Sequence, residues 1–334
     1  MHDERRAHHN DPDGGNTVQV DLSRRKFITK LGAGVALGPM IAPALAGSPP
    51  REPDGESPGD GGTQTASQSA TSKPGPGPRF KACKLSMVGE GKTLRDKFQV
   101  VKDCGYDGVE LDSPNPWKTE EVLAAKEATG LRIHGTIDSI HWRKTLSDPD
   151  PKVRAEGLVG LETALRDSKA YGGTTALLVP GVVRKHISYE DVYKRSQIEI
   201  RKALPLAKEL GVKIAIENVW NGFLLSPLEI RRYIDEFESP WIGAYLDIGN
   251  MRKFGWPEHW IEILGPRILK VDIKGYSLKK RFNVGILEGD VDWKDAVAAL
   301  KKVGYSGWIT AEVRGGKKER LAAIAKDLDA ILAM

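Results

Sequence analysis

Four apolar runs in the C-terminal half of this chain lead into a carboxylate. Glu217 follows "IAI", Asp247 follows "GAYL", Asp272 stands in "ILKVDIKG" and Glu312 in "WITAEV". Side chains of a strand alternate between two faces. With Ile214 and Ile216 outward, Lys213, Ala215 and Glu217 point inward, which makes Glu217 the last inward residue of its strand. The same count puts Asp247, Asp272 and Glu312 at the inner ends of the next three strands. Taken singly, each acid could be an ion pair or a helix N-cap. Gathered at one mouth, such carboxylates repel and raise one another's pKa unless a cation lies between them. A divalent metal meets that requirement, and an all-oxygen donor set suits Mn²⁺ or Mg²⁺ better than Zn²⁺ or Cu²⁺.

The elements that must position these acids are legible as alternation. The runs "ACKLSMV", "DGVEL", "LRIHGTI", "TTALLVP", "VKIAIE", "IGAYLD", "ILKVDI" and "WITAEV" are strand candidates. Helical patterns separate them: Leu158, Leu161 and Leu165 share one face, as do Leu321, Ile324, Leu328 and Ile331. Turn signals such as "CGYDG", "TGLR", "YGGTT", "LGVK" and "VGYSG" stand where helices should stop and strands begin. Strict βα alternation predicts a parallel sheet covered by helices, and eight repeats favour a closed (β/α)8 TIM barrel over an open doubly wound sheet. No glycine-rich dinucleotide fingerprint follows the first strand.

The N-terminal part reads as an address. "SRRKFITK" at 23–30 precedes the weakly apolar "LGAGVALGPMIAPALAG", which contains Ala44-Leu45-Ala46, the pattern of a twin-arginine (Tat) export signal over residues 1–46 with cleavage after Ala46. Lys30, the glycines and two prolines interrupt the apolar stretch too often for an integral membrane span. Residues 47–78 contain no Val, Ile, Leu, Met, Phe, Trp or Tyr, so they are expected to form a disordered linker. Residues 79–334 then form the barrel, a length typical of that fold. Across the whole chain, 50 basic residues against 45 acidic ones make a mixed surface despite the net charge of +5, and no basic block with interleaved aromatics points to nucleic acid. The two cysteines, Cys83 and Cys104, exclude a disulfide scaffold and are expected in the core.

Residues 80–334 resemble the xylose isomerase-like TIM-barrel superfamily, in particular its sugar phosphate isomerase/epimerase group, which includes hydroxypyruvate isomerases and ketose 3-epimerases. The segments that carry the likeness are "GYDGVELD", "HWRKTLSDPDPKVRAEG", "LLVPG", "IENVWNGFLLSPLE", "GAYLDIGN", "EGDVDW" and "GYSGWITAE". The resemblance implies a divalent metal held by Glu217, Asp247, the residue at 272 and Glu312, with Glu217 and Glu312 also serving as the acid/base pair on either face of a sugar. Where the family usually has histidine, in "VHVKD", this chain reads "VDIKG", so Asp272 replaces the histidine and Gly275 an acid.

With those groups, a carbonyl polarised by the metal would acidify the neighbouring C–H. Return of the proton to the other face gives epimerisation, and return to the adjacent carbon gives aldose–ketose isomerisation, through an enediolate. A small-molecule carbohydrate is the expected partner. His141, in the loop "SIHW", is expected to bind sugar hydroxyls or the carbonyl; His134 is open between that role and a buried structural one. Trp142 and Trp220 could stack on a sugar ring or pack in the core. Lys274 could hold an anionic group or balance the acid cluster, and Glu110 is expected to partner an interior lysine. His259 is assigned to helix packing or a loop lid. Export, and the lack of an evident phosphate cradle after the last two strands, points to a free or oxidised sugar. Two other readings stand beside this one: a metal-dependent lyase or dehydratase, and a noncatalytic carbohydrate-binding barrel.

Overall fold

The computed structural model describes residues 76–334. The expected signal, and the linker up to residue 75, lie outside them.

The eight strand candidates all form strands, and each is followed by a helical segment. In order these are β1 (Phe80–Lys84), α1 (Leu94–Asp103), β2 (Gly108–Ser113), α2 (Thr119–Thr129), β3 (Arg132–Asp138), α3 (Pro151–Tyr171), β4 (Thr175–Leu178), α4 (Tyr189–Leu210), β5 (Lys213–Glu217) and α5 (Pro227–Asp235). Then come β6 (Ile242–Asp247), the short α6 (Ile248–Met251), α7 (Pro257–Leu264), β7 (Ile268–Ile273), α8 (Trp293–Lys302), β8 (Trp308–Ala311) and α9 (Lys318–Leu332). Every strand runs parallel to its neighbours, and β1 pairs with β8 to close the barrel. Closure removes the unpaired sheet edges and makes this a TIM barrel.

Local chemistry sets the helix boundaries. Thr93 and Asp96 form a reciprocal capping box at the start of α1, Asp150 caps α3 just before Pro151, and glycine ends α2, α3 and α4 at the expected turn signals. Leu321, Ile324, Leu328 and Ile331 of α9 are buried, as are Leu161 and Leu165 of α3, whereas Leu158 is only half-buried. Each fully buried aliphatic side chain contributes about 1.5–3 kcal/mol, so these faces hold the helical layer to the barrel. Cys83 and Cys104 are free and buried, one in β1 and the other at the end of α1.

The strand boundaries differ from expectation at β1. It begins at Phe80, paired with Trp308, and ends at Lys84, after which Leu85–Met87 turn into a short 3-10 helix. Lys84 is therefore a strand-end residue. A second irregularity lies in β3, where Val109 pairs with Ile133 but Glu110 with Gly135, leaving His134 as an extra residue and resetting the alternation beyond it.

Inside the barrel, Ile137, Leu177, Ala215 and Tyr245 pack as a separate apolar cluster. A buried polar network adjoins it. Tyr245 donates its hydroxyl to Glu110 Oε2 at 3.1 Å and lies 3.2 Å from Thr310 Oγ1, which in turn lies 3.2 Å from His134 Nε2. Lys270 Nζ donates to the His134 carbonyl at 3.3 Å. These contacts satisfy most of the network away from water, while Glu110 Oε1 and His134 Nδ1 are buried without a partner.

Candidate active site

The four expected acids meet at the C-terminal mouth of the barrel. Glu217, Asp247, Asp272 and Glu312 each bring one carboxylate oxygen within 4.8 Å of the others. Asp247 and Asp272 are fully buried, whereas Glu217 and Glu312 line a cavity of about 400 Å³ above them. Glu312 stands one residue beyond β8, anchored by its N–H on the Ile273 carbonyl.

Each position has a local cause. Asp247 caps α6: its Oδ1 accepts the Asn250 N–H at 2.7 Å, which leaves Oδ2 for the cluster. Asn218, next after Glu217, accepts the Asp247 N–H at 2.8 Å and donates to the Asp247 carbonyl at 2.9 Å, locking the ends of β5 and β6 in register. Gly249 lets the next strand approach, because a Cβ there would lie 2.3 Å from Lys274 Cγ.

Two lysines sit among the acids. Lys274 Nζ lies 2.9 Å from Asp247 Oδ2 and 2.6 Å from Glu312 Oε2. Lys84 Nζ lies 2.8 Å from Asp272 Oδ2 and 3.2 Å from Glu312 Oε1. Of the two roles open to Lys274, the geometry supports charge balance. Lys84 was not anticipated. The sequence run "ACKLSMV" places it inside a longer strand, and only the true end of β1 brings it to the mouth.

The electrostatics follow from burial and these contacts. Burial raises Glu217 well above the usual carboxylate range, and neighbouring Glu312 adds to this. Burial also pushes Asp247 up to about 7 and Asp272 up to about 6, with Lys274 and Lys84 opposing it. Burial acts upward on Glu312 as well, but Lys84 and Lys274 outweigh it and hold this carboxyl well below its ordinary value. For the lysines burial favours the neutral amine, yet the surrounding carboxylates prevail and keep both ammonium groups charged.

This donor set fits a divalent cation. With every acid ionised, as metal binding would require, four carboxylates against two ammonium groups leave two negative charges. Asp247 Oδ2, both Asp272 oxygens and Glu312 Oε2 accept no well-directed hydrogen bond; the ammonium groups reach all but Asp272 Oδ1 at ion-pair distance. Relative to a neutral histidine at 272, Asp272 adds one negative charge to the set, and the Lys84 ammonium lies 2.8 Å from it. Gly275 has a steric reason as well: a Cβ there would lie 2.1 Å from the Gly285 carbonyl oxygen, where the loop after β7 folds back.

The cavity walls carry most of the other expected residues. His141 lines it and accepts the Val179 N–H on Nδ1 at 3.2 Å. Burial lowers its pKa to about 3, so the imidazole is neutral and carries its proton on Nε2 as a donor. Trp142 and Trp220 form apolar wall with Phe282; Trp220 is fixed by donating to the Asn250 carbonyl at 2.9 Å and lies 4.7 Å from the Phe282 ring. His134 does not line the cavity. It is buried with its ring stacked 4.7 Å from Trp308, which supports the structural alternative. Glu110 has no lysine at ion-pair distance among the described residues and pairs instead with Tyr245. His259 is exposed on α7, its ring 6.1 Å from that of exposed Trp256, so it takes no part in the packing of that helix against the barrel.

Asp138 is a further cavity residue that the sequence reading missed. It ends β3; Oδ1 accepts the Ile140 N–H at 3.1 Å, Oδ2 is buried without a partner, and burial raises its pKa to about 7. The acid in "TID" marks a strand end as the other four do and shares the parity of His134, so the signal was present in the sequence.

A closed parallel barrel with acids converging at the C-terminal ends of its strands is the architecture of a TIM-barrel enzyme site. The chain belongs to the xylose isomerase-like TIM barrel family, which it matches over residues 98–334. It is 27% identical over 253 residues to an L-ribulose-5-phosphate 3-epimerase of Escherichia coli O1:K1 / APEC, covering 72% of this chain and 89% of that one. Among solved structures, a D-tagatose 3-epimerase-like protein superposes with a TM-score of 0.67 at 15% identity, covering 76% of this chain and 97% of that one. D-allulose 3-epimerase from Methylomonas sp., solved with D-allulose, gives 0.64 at 20% identity, covering 78% and 99%. The 3-keto-D-glucoside 4-epimerase of E. coli gives 0.64 at 18% identity, covering 76% and 99%. The relatives of this chain are thus sugar epimerases.

Proposed function

We propose that this protein is a metal-dependent sugar epimerase or isomerase acting on a free or oxidised sugar. The carrying observation is the pairing of two glutamates open to the cavity with two buried aspartates directly beneath, all four within reach of one ion. Glu217, Asp247, Asp272 and Glu312 would hold Mn²⁺ or Mg²⁺. When bound, such an ion would polarise a substrate carbonyl and acidify the adjacent C–H.

The remaining work falls to the chain's own side chains. His141 Nε2–H presents a donor to sugar hydroxyls, and Asp138 lines the same cavity. Trp142, Trp220 and Phe282 cover the apolar face of the ring and exclude water. Glu217 and Glu312, on separate strands, can exchange a proton with substrate from different sides: one removes it and the other returns one, to the opposite face or to the adjacent carbon.

The test joins metal analysis of the purified protein to solvent deuterium exchange into a panel of ketoses and keto-sugars. Stoichiometric Mn²⁺ or Mg²⁺ and exchange at the carbon next to the carbonyl are expected. Glu217→Gln and Glu312→Gln should each keep the fold and lose exchange by about 10²-fold or more. Full exchange in both variants would remove these roles. Lys84 in the acid cluster favours one second reading, a barrel that binds sugar without turning it over, and sugar binding by a metal-free protein with no C–H exchange would select it.

A further inference from the structure

We propose that a pocket beside the reaction cavity is a subsite for the carboxylate of an oxidised sugar, recognised by Arg314 and Arg320. This deepens the sugar-epimerase reading and rests on it.

The pocket measures about 440 Å³ and shares Lys84, Ser86, Lys274, Phe282 and Glu312 with the reaction cavity, so a substrate could extend from one into the other. Its cationic residues fall into two groups. Lys84 and Lys274 are committed to the acid cluster, and Glu312, the one carboxylate in the pocket wall, is committed to them. Arg314 and Arg320 also line the pocket, yet neither makes an ion pair or a side-chain hydrogen bond among the described residues. Two unengaged guanidinium groups facing the same space as a reaction site offer the planar, forked donors that carboxylate and phosphate oxygens match.

The arginines are carried on an anchored frame. Gly316 donates its N–H to the Met87 carbonyl at 3.0 Å and accepts the Gly89 N–H at 2.8 Å, which ties the loop after β8 to the loop after β1. The contact is close enough that a Cβ on Gly315 would lie 1.9 Å from the Met87 carbonyl oxygen. Arg314 is thereby held on one side, and Arg320 in the first turn of α9 on the other. The loop after β7, which supplies Phe282, Asn283 and Val284 to the pocket, also carries a basic rim of exposed Lys279, Lys280 and Arg281, with no acid at ion-pair distance among the described residues. A neutral sugar gains nothing from such a rim, whereas an anion is drawn towards it.

The experiment uses the full chain and two matched pairs of probes: L-ribulose with L-ribulose 5-phosphate, and D-fructose with D-fructuronate. Calorimetric affinity and C–H exchange are measured for the wild type and for Arg314→Met/Arg320→Met, with the urea midpoint of each protein as a folding check. D-fructuronate should bind about tenfold or more tightly than D-fructose at low salt. That preference should shrink with added salt and collapse in the double variant. A preference confined to the phosphate pair overturns the carboxylate assignment. Equal affinities within both pairs, or a preference that survives in the folded double variant, overturns the subsite. The epimerase reading fails separately, through absence of C–H exchange with every probe, even where the anionic preference is present.

Discussion

Removing the Lys84 ammonium takes one positive charge from a buried cluster of four carboxylates. A unit charge about 4 Å away is worth on the order of a few kcal/mol at a protein-like dielectric, so this one change should alter metal affinity more than any neutral substitution nearby. Lys84→Met is expected to bind Mn²⁺ at least about tenfold more tightly than the wild type by titration calorimetry. The same variant should be less stable without metal, because Asp272 then lacks a partner. Unchanged affinity would mean that Lys84 swings clear of the cluster when metal binds. The acids themselves were legible because each follows an apolar run by parity. Lys84 was hidden by a strand that ends at residue 84, although the run of apolar residues continues to 88.

Among the elements, the segment after β7 departs most from the pattern implied by the family. Gly275 cannot carry a side chain without meeting the Gly285 carbonyl at 2.1 Å, so Gly275→Asp should cost about 1–3 kcal/mol of unfolding free energy by denaturant titration and distort the loop carrying Phe282. Wild-type stability in that variant would show that the loop yields. Beneath the site, Glu110 on β2 pairs with Tyr245 on β6, and burial raises its pKa to about 8 from an ordinary 4.5, with Lys84 opposing the shift and Asp272 adding to it. Below about pH 4.5 the group is protonated whether the chain is folded or not. Between about 4.5 and 8 the unfolded chain releases the proton and the folded chain keeps it, so this group lowers stability as pH rises. Lys270, itself lowered to about 8 by burial, faces the same group. Glu110→Gln should therefore gain stability over the wild type at pH 8 by on the order of 1–3 kcal/mol, with the gain vanishing near pH 4.5. A gain equal at both pH values would place the effect in packing.

For the whole molecule, we propose export through the twin-arginine signal, which lets the barrel fold and acquire its metal before it crosses the membrane. Protein recovered outside the cytoplasm should begin at Gly47, as N-terminal sequencing would show; exported protein beginning at Met1 would refute the signal. Among the described residues, no helix is long and apolar enough to cross a membrane. The sequence by itself determined the alternation of eight strands with helices, the parallel closed architecture and the four acids at the mouth, because those properties follow from periodicity, strand parity and turn chemistry along a single stretch of chain. Tertiary structure alone decided which groups share the site. Closure of β1 on β8 brings Lys84 to Asp272 and Glu312, the bulge in β3 leaves His134 in the interior, and a folded-back loop leaves no room at Gly275. Such contacts join residues distant along the chain, and no local pattern encodes them: they exist only once the barrel has closed.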